Sequence, residues 1–171
     1  MQNVELKIEL RDAALARAIA KAVGATLIAT VEQTDTYFRV PSGRLKKREA
    51  PGEPVEYIFY ERKDMARPRL SHFQIYSEAE ALTRFGTEPL PVWVTVRKKR
   101  EIHILGYVRI HIDQIEGLGN FLEFEALVSP SCTVPRCHEA IADLRQKLSP
   151  ALGEVVTTSY SDLAASRGEN L

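Results

Sequence analysis

Residues 108–127, VRIHIDQIEGLGNFLEFEAL, alternate charged and apolar side chains with a period of two on both sides of a Gly-Leu-Gly turn. Arg109, His111 and Asp113 share one parity; Val108, Ile110 and Ile112 share the other. After the turn, Glu123 and Glu125 are opposed by Leu122 and Phe124. Successive side chains of a strand point to opposite faces, so the segment predicts a hairpin with two unlike faces. A sheet with one face in water explains a single hairpin of this kind. The remaining strands decide whether that explanation is enough.

The alternation recurs along the chain. Glu5, Lys7 and Glu9 alternate with Val4, Leu6, Ile8 and Leu10, and Asp35, Tyr37 and Arg39 with Thr36, Phe38 and Val40. Arg44, Lys46 and Arg48 share a parity, as do Tyr60 with Arg62 and Lys98 with Arg100. In this middle region Lys47, Glu49, Glu61, Arg97 and Lys99 interrupt the opposite, otherwise apolar face.

Turn and cap residues punctuate these runs. Residues 3–10 read as a strand and 12–23 as a helix, with Asp12 as N-cap and Gly24 just past its end. Strand-like runs follow at 26–33 and 34–40, then PSG (41–43) and PGEP (51–54) turn the chain around RLKKRE and into VEYIFYER. Residues 63–69 read as a loop before the strand LSHFQIY. SEAEALTRFG forms a short helix with a capping box from Ser77 to Glu80 and Gly86 as terminator. Three strands come next, VWVTVRKKR, IHILGYVRIHID and NFLEFEALV, and Pro135 opens a helix reaching Leu148. A last short helix begins near SYSDLAA.

Eight or nine strands in mostly hairpin order predict antiparallel pairing, and eight tilted strands close into a barrel without edges. Two barrels satisfy the alternation. If the charged face points outward, the apolar residues form a conventional interior. If it points inward, the amphipathic helices must cover an apolar exterior around a charged tunnel. Charge held away from water costs several kcal/mol per ion unless it is paired, so such a tunnel needs a charged ligand to complete it. The pattern alone leaves both open.

Composition bounds the function. The 171 residues fit one domain, residues 1–171, with 44% hydrophobic and 27% charged residues. Lys plus Arg equals Asp plus Glu, 23 each, which argues against a nucleic-acid partner, as does the lack of a base-stacking motif. No apolar run approaches the ~20 residues of a membrane span, and MQNVELKIEL lacks the apolar core of a signal peptide, so the cytoplasm is expected and no membrane partner. Cys132 and Cys137, beside His138, are too few for a disulfide framework or a closed zinc site and are read as reduced structural thiols.

Seven stretches carry a resemblance: NVELK (3–7), QTDTYF (33–38), GRLKKRE (43–49), YER (60–62), VRKKR (96–100), VRIHIDQIEGLGNFLEFE (108–125) and SYSDL (159–163). In this order they resemble the CYTH, or triphosphate tunnel, superfamily, within it the class IV adenylyl cyclase-like branch. The resemblance implies an α+β fold: a closed antiparallel eight-stranded β-barrel with flanking helices, charged inside, binding a triphosphate with divalent metal. It places Lys7, Lys46, Arg48, Arg62, Lys98, Arg100 and Arg109 on phosphate oxygens. Glu5, Asp113, Glu123 and Glu125 are placed on metal, Mg2+ or Mn2+, and the catalytic part falls to Asp113, Glu123, Lys98 and Arg100. The chemistry suits the division, since guanidinium and ammonium groups match phosphate and magnesium prefers carboxylate, water and phosphate oxygens.

One family position departs. The usual Glu, Glu, Lys at alternating positions reads Asn3, Glu5 and Lys7, with Glu9 either a substitute carboxylate or a solvated surface charge. His111 is read as a structural hydrogen-bonder, Tyr37 and Tyr60 as packing, and Lys47, Arg97 and Lys99 as solvated charges. The implied activity is that of an enzyme acting on ATP or another triphosphate-bearing small molecule. It either forms cyclic AMP and pyrophosphate or hydrolyses inorganic or organic triphosphate. A non-catalytic polyphosphate-binding module is the alternative, and a homodimer is left open.

Overall fold

The computed structural model describes residues 1–169. Nine strands and four helices follow one another as β1 (Gln2–Leu10), α1 (Ala13–Ala22), β2 (Thr26–Phe38), β3 (Arg44–Glu49), β4 (Glu56–Glu61), β5 (Arg69–Ser77), α2 (Glu78–Phe85), β6 (Val92–Leu105), β7 (Val108–Ile115), β8 (Gly119–Leu127), α3 (Val134–Leu148), β9 (Leu152–Val156) and α4 (Tyr160–Glu169). Neighbouring strands run β5-β4-β3-β2-β6-β7-β8-β1, and β5 pairs back onto β1, which closes an eight-stranded antiparallel ring. The β5–β1 ladder covers Gln2 to Glu5; beyond it β9 takes over the same edge of β1, pairing with Lys7, Ile8 and Leu10.

The main apolar core lies outside this ring. The even-numbered residues of β1 (Val4, Leu6, Ile8), of β7 (Val108, Ile110, Ile112) and of β8 (Leu122, Phe124, Ala126) pack against Ala16 of α1 and Cys137, Ile141, Leu144 and Leu148 of α3. Phe124, Leu6, Ile8, Ile110 and Leu122 are fully buried there, each contributing about 1.5–3 kcal/mol relative to an exposed side chain. With that face covered by helices, the odd-numbered, charged face must point inward. The inward of the two barrels is the one that forms.

A smaller apolar cluster sits inside one end of the ring. Tyr37, Val96, Ile115 and Phe121 meet Tyr160 of α4, with Leu163 and Ala164 packed against them. α4 therefore docks its first two turns into that end of the tunnel.

Helix boundaries follow their capping chemistry. Asp12 accepts from the Leu15 amide at 2.9 Å, and the Ser77–Glu80 capping box is complete at 3.2 and 2.7 Å. Some boundaries differ from expectation. Residues 26–38 form one strand with a bulge at Ile28 in place of two runs, because β6 supplies a continuous partner along the length of β2. Likewise β6 runs unbroken to Leu105 before the Gly106–Tyr107 turn. Arg69, read as loop, begins β5, and β9 was not expected.

Candidate functional site: a charged tunnel

A cavity of about 450 Å³ runs into the ring. All seven cations proposed for phosphate, Lys7, Lys46, Arg48, Arg62, Lys98, Arg100 and Arg109, line it, along with Glu5, Glu56, Glu123 and Glu125. Arg69, Asp35 and Asp113 are buried behind this lining. Cations thus outnumber carboxylates in the cavity wall, so the ring is electrostatically prepared for an anion.

Two carboxylates are saturated by the protein. Asp35, fully buried, accepts from Arg48 Nε and Nη2 at 2.8 and 2.7 Å and from Lys98 Nζ at 3.1 Å, with Lys46 Nζ also at 3.1 Å. Burial pushes its carboxyl up, but Lys46, Lys98 and Arg48 outweigh burial and hold it well below the usual carboxylate range. Asp113 accepts from Arg100 Nε and Nη2, both at 2.7 Å, and from the Tyr160 hydroxyl at 2.7 Å. Burial is again the opposing influence, and the Arg100 charge and hydrogen bonds hold this carboxyl at about 2. Asp113 is absent from the cavity wall. Its expected place on a metal is therefore corrected: both its oxygens are already engaged by a bidentate guanidinium and a phenol.

Glu123 and Glu125 are arranged differently. With His111 they form a group whose ligand atoms lie within 4.8 Å of one another. His111 Nδ1 is 3.4 Å from Glu123 Oε1, and Arg100 Nη2 is 3.8 Å from the same oxygen. Burial raises the Glu123 carboxyl, but the His111 hydrogen bond, Arg100 and Lys7 hold it well below the ordinary value. Glu125 lies directly across from Glu5 on the β1–β8 ladder, a like-charge pairing that is unfavourable without a cation nearby. Arg62 serves Glu5 in part, through a short ion pair, with Arg69 Nε 3.6 Å away. His111, set aside as structural from the sequence, is brought into the acidic group.

Asn3 and Glu9 resolve oppositely. Asn3 lines the cavity, and among the described residues its Oδ1 is buried with no hydrogen-bond donor. Glu9 is exposed, away from the cavity wall, and its Oε2 accepts from the Glu154 amide at 3.4 Å. Of its two readings, Glu9 takes that of a solvated surface charge, because the end of β1 is paired with β9.

The lysines are strained electrostatically. Lys7 Nζ sits 3.8 Å from the Tyr160 ring centroid; burial pulls its pKa down to about 7. Burial and Arg48 lower Lys46 to about 8, and burial with Arg100 lowers Lys98 well below its ordinary value. Each would regain its proton's stability next to a polyanion. The sequence did not assign Asp35, Arg69 or Tyr160. Asp35 was visible as the inward-parity partner of Tyr37, Arg69 was hidden in residues read as a loop, and Tyr160 entered only through SYSDL.

A closed β-ring with a cation-rich interior, an acidic group on one wall and helices outside defines a tunnel whose charge suits a polyanion. The family model of the CYTH domain matches residues 1–160, and the chain belongs to that family. It is similar to the Drosophila melanogaster protein CG45078, 30% identical over 93 residues, which are 53% of this chain and 57% of that protein. The chain thus spans little more than half of the curated relative it matches. In fold it is similar to PH1012 of Pyrococcus horikoshii OT3, with a TM-score of 0.76 and 22% identity over 94% of this chain and 98% of that one. It is similar as well to HpAC1 of Hippeastrum, a candidate adenylyl cyclase described as revealing a dominant triphosphatase activity. There the TM-score is 0.66 and the identity 13%, over 96% of each chain. Among the described residues, no helix is long and apolar enough to cross a membrane.

Proposed function

We propose that this chain is an enzyme that cleaves a triphosphate with the help of a divalent cation, Mg2+ or Mn2+. The observation that carries the reading is the division of one cavity wall into a basic belt and the His111–Glu123–Glu125 group. A triphosphate lying along the belt would meet Lys46, Arg48, Lys98 and Arg100, whose forks and ammonium groups are held in place by Asp35 and Asp113. Those aspartates work through the cations as positioning residues. Phosphoryl transfer asks mainly for such positioning and charge neutralisation.

The residues fit a divalent cation. Glu123, Glu125 and His111 converge, Glu125 faces Glu5, and Asn3, whose buried side-chain oxygen has no donor among the described residues, lines the same cavity. When bound, the cation would supply charge neutralisation at the phosphate oxygens. A nitrogen donor in the set favours Mn2+ over Mg2+ somewhat, since magnesium prefers an all-oxygen shell.

Hydrolysis is the first reading: water's oxygen bonds to a terminal phosphorus as the bridging P–O bond breaks, giving phosphate and diphosphate. The triphosphatase activity described for the Hippeastrum protein supports it. Cyclisation of ATP by its 3′-hydroxyl, releasing pyrophosphate, is the second; the resemblance of EGLGNFLEFE to the class IV adenylyl cyclases favours it. Incubation with ATP and with tripolyphosphate, each with Mg2+, with Mn2+ and with chelator, followed by product identification, separates them. Metal-dependent phosphate release supports hydrolysis, and cyclic AMP with pyrophosphate supports cyclisation. Unchanged triphosphate under every condition rejects catalysis and leaves a binding module.

A further inference from the structure

The tunnel makes no use of two buried thiols on the outer side of the ring. Cys132 and Cys137 lie beneath the turn that joins β8 to α3, both inaccessible to water and both free, with their sulfurs 2.9 Å apart. A disulfide bond is about 2.05 Å long, so roughly 0.9 Å of closure separates the pair from a covalent link. Cysteine as a small core filler asks for no such contact.

The backbone holds both sulfurs in place. Ser129 and Cys132 exchange amide-to-carbonyl hydrogen bonds at 3.0 and 3.1 Å, and the Ser129 hydroxyl also accepts from the Cys132 amide at 3.1 Å. Cys137 sits in the first turn of α3, its amide donating to the Thr133 carbonyl at 2.9 Å. Its other Sγ contacts are long, 3.6 Å to the Cys132 carbonyl and 3.9 Å to the Leu127 carbonyl. Each thiol has the other as its nearest partner.

A link here would close over an uncapped helix start. Asp12 caps α1 and Ser77 caps α2, but Thr133, before α3, makes no side-chain cap hydrogen bond, so the first amides of α3 lack that support. The turn is also wet: Pro130, Ser131, Thr133, Pro135 and Arg136 are exposed. Farther along, Ile141, Leu144 and Leu148 of α3 pack on the outer face of β1, β7 and β8. Those strands carry Glu5, His111, Glu123 and Glu125 in the cavity wall, so the start of α3 supports the back of the acidic group.

We propose that Cys132 and Cys137 are a redox pair that closes to an intrachain disulfide by exchange with a small-molecule disulfide such as glutathione disulfide, clamping the start of α3 to the end of β8. One cysteine thiolate attacks a sulfur of the small disulfide and expels one thiolate; the other cysteine thiolate then displaces the second from the mixed disulfide. Two protein thiols are oxidised, one small disulfide is reduced to two thiols, and the two protein protons pass to the released thiolates. While the turn is shut, burial pushes the Cys137 thiol up to about 12 and keeps it unreactive. Exchange therefore proceeds as the exposed turn opens, and the bond is sheltered once it shuts.

The test incubates the purified protein with glutathione disulfide, reverses the reaction with excess reduced glutathione, and reads intact mass, free thiols in denaturant and thermal melts. The chain should lose two hydrogens and both thiols, with no glutathione adduct and no linked dimer, and reduction should restore both. The oxidised form should melt about 5 °C higher, the scale for closing a short loop in a chain of this size, and amide exchange should slow over residues 129–140. Cys132→Ala and Cys137→Ala should each remove the melting shift; if either variant folds poorly, the wild-type mass and thiol counts decide alone. Two thiols still free when a urea-unfolded control is fully oxidised overturn the proposal. So does a persistent glutathione adduct, a disulfide between chains, or a bond that lowers the melting temperature. None of these readouts needs turnover, so the result is independent of the triphosphate reading.

Discussion

Asp113 and Glu125 point into the same ring from adjacent strands, yet one is locked and the other is available. The cross-strand ladders explain the difference. Asp113 lies opposite Arg100 and Asp35 opposite Arg48, so each is paired by register with a guanidinium that reaches both its oxygens. Glu123 lies opposite Lys7 and His111; Glu125 lies opposite Glu5 and Arg109, but Arg109 is exposed and, among the described residues, makes no ion pair with it. Inward parity gives a carboxylate access to the tunnel, and whether a buried guanidinium across the ladder closes on it decides if it is spent on structure or left for a ligand.

The most direct way to break this comparison is to remove one carboxylate of each kind. Asp113→Ala takes the bidentate partner from the buried Arg100 guanidinium, leaving it only Glu123 at 3.8 Å, and should cost about 3 kcal/mol of stability, the low end of the usual penalty for breaking a buried ion pair. Glu125→Gln should change stability by less than about 1 kcal/mol, while raising the Mn2+ concentration for half-maximal turnover. Denaturant unfolding reads the first and a metal titration the second. Equal stability losses would show that register does not sort these groups.

Much of this was legible in the sequence, for a physical reason. Charges at strict period two are costly to fold in any other way, so Lys7, Lys46, Arg48, Arg62, Lys98, Arg100 and Arg109 all reach the cavity as expected. The noise in the middle strands also has a cause. On β6, Arg97 and Lys99 are exposed while Val96, Lys98 and Arg100 are buried, because α1 and α3 cover β1, β7 and β8, leaving much of the outer face of β6 to water. An outer face open to solvent tolerates charge, and so alternation in type disappears while alternation in burial persists. Pairing across the ladder was not legible. Asp113 could be assigned to the tunnel from its parity, but only the register with β6 shows it opposite Arg100, and only tertiary packing brings Tyr160 from α4 onto its second oxygen. The same gap hid His111, whose role depends on its neighbour across β8.

A subtler test sharpens the locked half of the comparison through pH. Asp35 is shared by Arg48, Lys98 and Lys46, so one carboxylate serves three cations, and burial with Arg48 pulls Lys46 to about 8. An unfolded lysine keeps its proton to about 10.4. Between pH 8 and 9 the unfolded chain therefore holds more protons than the folded one, and the free protein should gain stability as pH rises. Triphosphate binding needs the ammonium, so affinity should fall over the same interval, severalfold per pH unit. The Cys137 thiol, pushed up to about 12 by burial, acts in the opposite sense from about pH 8.5 upward, where the unfolded thiol ionises, and offsets part of the gain in stability. Thermal melts with and without tripolyphosphate at pH 8 and 9 should show the free protein's Tm rising and the ligand-induced shift shrinking. Lys46→Met should make both trends shallower, Lys7 and Lys98 keeping the remainder; slopes identical to wild type would remove Lys46 from the belt.

The smallest expected effect falls at the end of β1, where parity and access part company. Glu9 shares the inward parity of Glu5 and Lys7, and on alternation alone it could replace the carboxylate missing at Asn3. In the fold, β9 joins β1 at Lys7, Ile8 and Leu10, and Glu9 is exposed with its oxygen against the Glu154 amide. Its side chain also packs against Gly153, where an added Cβ would come within 3.0 Å of Glu9 Oε2 and 2.8 Å of Arg11 Nε. Glu9→Gln keeps the amide contact and removes only a solvated charge, so the Mn2+ midpoint for turnover should stay within about a factor of two of wild type. Asn3→Glu tests the same point from inside: it puts a second carboxylate near Glu5 and should lower that midpoint, whether or not Glu9 is intact. A midpoint raised severalfold by Glu9→Gln, and restored by Asn3→Glu in the same chain, would mean that Glu9 swings into the tunnel when metal binds. The division between locked and available carboxylates would then have to include a third class, recruited from outside the ring.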